Sequence, residues 1–149
     1  MANVLITRFC NRSCPHCFAR GDFLAAPFDI GFEQDDINMT QTRFDEVLDF
    51  VRRSGLKDVG LLGGEPGLHP KITMMVDSLL AAGLNIRIFT GGLIPEAVAV
   101  YLRALDPQRV RVVINVPVPG ENLAEDKRGH LLRTMSVMSG FAALGFTIC

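Results

Sequence analysis

Three cysteines lie within eight residues near the start of the chain, in the segment Cys10-Asn11-Arg12-Ser13-Cys14-Pro15-His16-Cys17. Thiolates are soft ligands that favour iron–sulfur clusters and zinc over hard cations. Three of them can bind three irons of a cubane [4Fe-4S] cluster, which leaves the fourth iron open to a ligand other than protein. The spacing therefore predicts a metal centre on Cys10, Cys14 and Cys17.

A zinc ion is the alternative occupant of these thiols, with His16 or His69 as the fourth ligand. Structural zinc sites usually combine two separated pairs of ligands that tie two elements together. This chain has one tight triplet instead, so an iron–sulfur cluster is favoured. A disulfide would leave an odd thiol in the loop and is disfavoured further.

A second candidate segment is Gly63-Gly64-Glu65-Pro66, at the end of a predicted strand. Glycines let the backbone approach a ligand closely, and a carboxylate or exposed carbonyl groups can accept hydrogen bonds from an ammonium group. By itself the segment is also compatible with an ordinary strand-to-helix turn.

Together, the Cys-x3-Cys-x2-Cys loop and the glycine-glycine-glutamate segment one strand later resemble the two motifs of the radical S-adenosylmethionine superfamily. The resemblance implies a [4Fe-4S] cluster whose open iron binds the methionine part of S-adenosylmethionine. Reductive cleavage of that cofactor would give a 5'-deoxyadenosyl radical that abstracts hydrogen from a substrate. The implied residues are Cys10, Cys14 and Cys17 for the cluster and Gly63, Gly64 and Glu65 for the methionine end.

The same resemblance places three further residues around the cofactor. His16 would pack near the adenine, and Thr90 and Asn115 would line the cofactor site from the ends of two later strands. The resemblance also implies a reductant such as flavodoxin or ferredoxin. It leaves open the substrate (a peptide, a protein or a small molecule) and the reaction class (oxidoreductase, transferase or lyase).

Short β-rich runs alternate with amphipathic helical patterns, which predicts βα units and a parallel sheet. We expect strands at residues 3–7, 58–62, 85–90 and 109–116 and a fifth from residue 146, with helices opening at Thr40, Pro70 and Pro95 and after a loop that ends at Gly129. This predicts an α/β fold, a partial (β/α) barrel with its active site at the carboxyl ends of the strands. We expect residues 1–149 to form one radical S-adenosylmethionine core domain, truncated in or after the fifth strand.

Composition restricts the partners. The chain has 149 residues, a formal net charge of -1 and no cluster of Lys and Arg, so a nucleic-acid partner is not indicated. No apolar run approaches the roughly 18 residues that span a bilayer, and the first residues lack the pattern of a secretory signal. We therefore expect a cytoplasmic protein without a membrane partner, in a compartment that keeps thiols reduced. A non-catalytic metal-binding module, or an inactive fragment, is the alternative function.

Overall fold

A parallel β-sheet with helices between its strands forms the framework of the chain. The computed structural model describes residues 1–12, 14, 17, 37–115, 124–139 and 143–145. In chain order the elements are β1 (Ala2–Thr7), α1 (Gln41–Arg53), β2 (Asp58–Gly63), a 3-10 turn (Pro66–Leu68), α2 (Ile72–Ala81), β3 (Asn85–Thr90), α3 (Glu96–Arg103), β4 (Val110–Asn115), α4 (Glu125–Val137) and β5 (Ala143–Gly145).

The strands are arranged in the sheet in the order of the sequence, β1-β2-β3-β4-β5, and every neighbouring pair is parallel. Parallel crossovers are almost always right-handed, so strands that are added in one direction place their helices on one face of the sheet. A doubly wound sheet would instead reverse the strand order. The observed order confirms the prediction of a partial (β/α) barrel.

The hydrophobic core lies between this helix-covered face and the helices. Strand residues alternate in burial, as the twofold period of a strand requires. The buried strand residues include Ile6, Leu61, Ile88, Val112 and Ile114, which join helix residues in one apolar cluster. The opposite face, here called the inner face, carries the other residues of each strand, and Leu5, Leu62, Phe89 and Val113 there are half-buried.

Local signals explain where most helices begin and end. The Thr40 hydroxyl accepts a hydrogen bond from the backbone N–H of Arg43 and so caps α1, as predicted. Gly55 and Gly83 follow α1 and α2 with φ values of 67° and 79°. Both helices therefore stop where glycine can adopt a left-handed conformation.

Three predicted boundaries were wrong. Helix α2 begins at Ile72 and not at Pro70, because the chain first makes the 3-10 turn and His69 then accepts a hydrogen bond from the backbone N–H of Lys71. Helix α4 begins at Glu125 and contains Gly129, which was predicted to end a loop. Strand β5 begins at Ala143, ahead of the predicted start, and residues 146–149 lie outside the described part of the chain.

Candidate active site

The cysteine loop and the glycine-glycine-glutamate segment are joined directly at the carboxyl edge of the sheet. The backbone N–H of Gly64 donates to the carbonyl oxygen of Thr7 at 2.8 Å, and the N–H of Glu65 donates to that of Phe9 at 2.7 Å. A Cβ atom on Gly64 would overlap the backbone of Arg8 and Phe9. A glycine is therefore required at position 64 for the two segments to lie in contact.

The Glu65 carboxylate points into the protein, and the residue is only 1% exposed. Its Oε1 accepts from the Thr90 hydroxyl at 2.7 Å and from the Gly67 N–H at 3.1 Å, and its Oε2 accepts from the Gly91 N–H at 2.7 Å. Burial raises the pKa of this carboxyl, while the three hydrogen bonds and the Arg12 guanidinium act to lower it. The carboxylate thus holds the end of β3 against the turn that follows β2.

Arg12, between the first two cysteines, extends the loop across the sheet edge. Its Nη1 donates to the carbonyl oxygen of Gly91 at 3.2 Å and to that of Asn115 at 3.0 Å. These carbonyls belong to the ends of β3 and β4. The guanidinium therefore ties the cysteine loop to two strands that are distant in sequence, next to the buried Glu65.

Two more contacts fix the loop from the side of α4. The Asn11 side-chain amide donates to the carbonyl oxygen of Leu93 at 2.7 Å, and Lys127 Nζ donates to the carbonyl oxygen of Asn11 at 2.6 Å. His130, on the same helix, contacts the carbonyl oxygen of Ile94 through Nε2 at 2.6 Å. The first residues of the loop are consequently held by the ends of β2, β3 and β4 and by α4.

The three cysteines of the loop are free and partly exposed. The N–H of Cys17 donates to the carbonyl oxygen of Cys14 at 3.3 Å, and the N–H of Arg12 approaches Cys10 Sγ at 3.4 Å. Burial raises the pKa of the Cys10 thiol, and the Arg12 N–H partly opposes that effect. The loop thus presents its cysteines at the same edge as the glycine-glycine-glutamate segment.

The donor set consists of three thiols on one loop. Thiolates are soft ligands, and three of them can bind three irons of a [4Fe-4S] cluster and leave the fourth iron open. The residues of the loop therefore fit such a cluster, which Cys10, Cys14 and Cys17 would hold.

His69 is not positioned as a ligand. It is 2% exposed, its Nδ1 accepts from the Lys71 N–H at 3.0 Å, and its Nε2 lies 3.2 Å from the Met39 carbonyl oxygen. One neutral tautomer, with the proton on Nε2, satisfies both contacts. Burial is the main cause that lowers the pKa of this imidazole. Both nitrogens are therefore occupied, and the alternative of zinc with His69 as a ligand loses its support.

Of the remaining predicted site residues, the structure describes Thr90 and Asn115. The Thr90 hydroxyl donates to Glu65 and accepts from the Gly92 N–H at 2.9 Å, so its polar capacity is already used within the protein. Asn115 lies at the end of β4, where its carbonyl oxygen contacts Arg12. His16 lies outside the described residues. The sequence reasoning missed Arg12, Asn11 and Lys127.

The sequential parallel sheet, with a three-cysteine loop at its carboxyl edge, places the chain among (β/α) proteins with a candidate metal site above the strands. Within that class, the family model described as "Radical SAM superfamily" matches residues 4–135. The chain therefore belongs to the radical S-adenosylmethionine superfamily. This family uses a [4Fe-4S] cluster and S-adenosylmethionine.

Curated proteins support the same family. An S-adenosylmethionine-dependent nucleotide dehydratase of Selenomonas ruminantium is 26% identical over 87% of this chain and 48% of its own length. A mycofactocin maturase of Mycobacterium ulcerans is 24% identical over 95% of this chain and 36% of its own length. A 7-carboxy-7-deazaguanine synthase of Rhodopirellula baltica is 33% identical over 46% of this chain and 27% of its own length. The chain thus spans about half or less of the length of these relatives.

No helix in the described part of the chain has the length and apolar character needed to cross a membrane.

Proposed function

We propose that this chain carries the cofactor-binding core of a radical S-adenosylmethionine enzyme. Cys10, Cys14 and Cys17 would hold the [4Fe-4S] cluster, and Gly63, Gly64 and Glu65 would hold the methionine end of S-adenosylmethionine. The observation that carries the proposal is the direct junction of the two segments through the Gly64–Thr7 and Glu65–Phe9 backbone hydrogen bonds.

When bound, the cluster supplies the electron that cleaves the sulfonium bond of S-adenosylmethionine into methionine and a 5'-deoxyadenosyl radical. The chain's own part is to fix the geometry of the site. Because the Glu65 carboxylate already accepts three hydrogen bonds from the protein, we assign it the role of holding the edge of the site together. The methionine ammonium would then be bound by backbone carbonyl oxygens of the glycine segment, close to the thiols.

Arg12 serves the same geometry. Its hydrogen bonds to Gly91 and Asn115 hold the loop over the ends of β3 and β4. Thr90 and Asn115 at those strand ends, with His16 from the loop, remain the proposed neighbours of the nucleoside. Thr90 would act from beneath the site, since it is 2% exposed.

The substrate is not selected by these observations. The names of the three relatives refer to different molecules, and each relative is matched over about half of its length or less. We propose an electron donor such as flavodoxin or ferredoxin as a partner, because cofactor cleavage requires an external electron. The cytoplasm stays the expected location, since it keeps the three thiols reduced.

The test is anaerobic reconstitution with iron and sulfide, followed by electron paramagnetic resonance of the dithionite-reduced chain. We expect a reduced [4Fe-4S] signal that changes shape when S-adenosylmethionine is added, and 5'-deoxyadenosine formation on incubation. Cys14→Ala should abolish the cluster signal. Cys149→Ala, at the cysteine outside the loop, is the matched control and should leave the signal intact.

Two outcomes would contradict the proposal. Full cluster content in Cys14→Ala would show that the loop is not the ligand set. Alternatively, the chain could bind one zinc ion and no cluster, which would return it to the class of non-catalytic metal-binding modules.

A further inference from the structure

The inner face of the sheet carries two arginines side by side. Arg87 of β3 and Arg111 of β4 are direct partners in the parallel register, so their side chains leave the sheet on the same face. Gly60 of β2 is the next residue in this row, opposite Arg87. A Cβ on Gly60 would overlap the Asn3 side-chain oxygen, which places the Asn3 amide across β2 towards the arginines.

Neighbouring strands lie ~4.8 Å apart, so the two guanidinium groups start from closely spaced backbones. Like charges directly opposite one another in a sheet are destabilising. Among the described residues, no ion pair or hydrogen bond is made by the side chain of Arg87 or of Arg111. The side chain of Arg109, two residues before Arg111, does have partners. It donates hydrogen bonds to the side chain of Asn85 and to the carbonyl oxygen of Leu84.

A cavity of about 190 Å³ opens beside these residues at the amino ends of β2, β3 and β4. The residues that line it include three arginines, Arg87, Arg109 and Arg111, and one acidic residue, Asp58, so positive charge predominates among them. Pockets for whole drug-sized ligands are larger, ~300–1,000 Å³. This cavity is therefore suited to a small anion or to the anionic end of a longer molecule.

We propose that Arg87 and Arg111 form an anion site on the inner face of the sheet, which binds a phosphate or carboxylate group of the substrate. Arginine forks bind both groups in a bidentate manner, and two adjacent forks can share one anion. Bound there, the anion separates and neutralises two like charges that the sheet otherwise places side by side.

The substrate assignment rests on the proposed radical S-adenosylmethionine function and on the position of the site. Arg87 lies four residues before Gly91, and Arg111 lies four residues before Asn115. At ~3.3 Å per residue, the anion would lie ~13 Å below the edge that carries the cofactor segments. A small molecule with its anionic end on the arginines would thus place its other end at that edge.

Calorimetric titration of the reconstituted chain with inorganic pyrophosphate, and separately with malonate, tests the site. We expect at least one probe to bind. Arg87→Gln combined with Arg111→Gln should raise the Kd of that probe at least about tenfold. The double Lys variant keeps both charges but loses the forks and should bind with intermediate affinity. Arg52→Gln combined with Arg103→Gln, on the exposed surfaces of α1 and α3, is the charge-matched control and should bind like the wild type.

Preference for pyrophosphate would identify a phosphate-bearing substrate, and preference for malonate a carboxylate-bearing one. Absence of binding by the wild type, or equal binding by the double Gln variant, would overturn the site. The phosphorus signal of bound pyrophosphate should also relax faster when the cluster is reduced and paramagnetic than when it is oxidised. If the cluster forms but no such enhancement occurs, the site stands and its assignment to substrate fails. Failure of the wild type to form a cluster would refute the proposed function separately, because pyrophosphate binding is measured independently of it.

Discussion

Replacement of Glu65 by Gln distinguishes a structural carboxylate from one that only binds a ligand. The amide has nearly the same shape as the carboxylate but one of its two ends donates hydrogen bonds. Glu65 Oε1 receives the N–H of Gly67 and its Oε2 receives the N–H of Gly91. Whichever way the amide is turned, one of these backbone N–H groups faces an NH₂ group.

The expected cost follows from that conflict. A buried donor that loses its acceptor costs about 1–3 kcal/mol, so we expect Glu65→Gln to lower the free energy of unfolding by about 2 kcal/mol. The relief of a buried charge, which the raised pKa of Glu65 indicates, acts in the opposite direction and keeps the estimate from the top of that range. For a chain of this size, the corresponding shift of Tm is about 4–8 °C.

Urea unfolding of the chain, with and without the reconstituted cluster, measures the effect. Glu46→Gln is the control, since Glu46 forms an ion pair with Arg43 on the exposed surface of α1 and such pairs contribute about 1 kcal/mol or less. Thr90→Val removes the hydroxyl that donates to Oε1. Because Thr90 and Glu65 are in contact, the two substitutions should be non-additive by about 1 kcal/mol.

The reasoning would be refuted by one particular combination of results. Glu65→Gln would unfold within about 0.5 kcal/mol of the wild type, which is the usual range for a surface substitution, and would lose the response of the cluster signal to S-adenosylmethionine. The carboxylate would then be a ligand-binding group, and the hydrogen bonds seen around it would contribute little to stability.

The remaining predictions concern the neighbourhood of this site and the core. Gly64→Ala should lower the free energy of unfolding in urea by about 3 kcal/mol, the upper end of the range for overpacking, because the new methyl group would overlap the Phe9 backbone. Gly129→Ala, in the middle of α4, should instead raise it by about 0.5–1 kcal/mol. A loss of stability in Gly129→Ala would contradict the helix. Burial lowers the pKa of His69, so the folded state favours its neutral ring. The stability that it contributes relative to His69→Gln should be present above the ordinary pKa of 6.5 and decline as the pH falls below that value. A stability difference between the two proteins that does not change with pH would refute the buried neutral ring. Tyr101 is the only tyrosine of the chain, and its hydroxyl has a raised pKa through burial and a hydrogen bond to a carboxylate; ultraviolet titration should show phenolate formation only above the usual range, with a normal titration as the contrary result.

The sequence predicts those parts of the fold that depend on local signals. The apolar period of α1, its cap at Thr40 and the left-handed Gly55 that follows it can all be recognised from a short stretch of sequence. The predicted start of α2 was wrong because the 3-10 turn before it is held by His69, whose partner Met39 belongs to a distant segment. Glycine in α4 was read as a loop residue, since nothing local shows that a helix tolerates it there.

The site was predictable by residue type and only partly by orientation. The cysteine spacing and the glycine pair identify the two candidate segments, because residue types at fixed spacing can be seen in the sequence directly. The direction of the Glu65 carboxylate depends on donors from β3, and the position of Arg12 depends on the end of β4, 103 residues away. Pairs at such separation leave no periodic pattern in the chain, and the position of Arg12 between two cysteines was the one sign that the sequence offered for it.

The sequential strand order explains how one short loop can reach so many elements. In a sheet ordered β1-β2-β3-β4, with strands ~4.8 Å apart, the ends of β2, β3 and β4 lie at increasing distance on one side of β1. Backbone atoms of Phe9 reach the nearest strand end, and only a long side chain such as Arg12 reaches the two beyond it. A doubly wound order would have placed these strand ends on both sides of β1. The strand order that makes the partial barrel is therefore also what lets the cysteine loop be fixed over the edge where the glycine-glycine-glutamate segment lies.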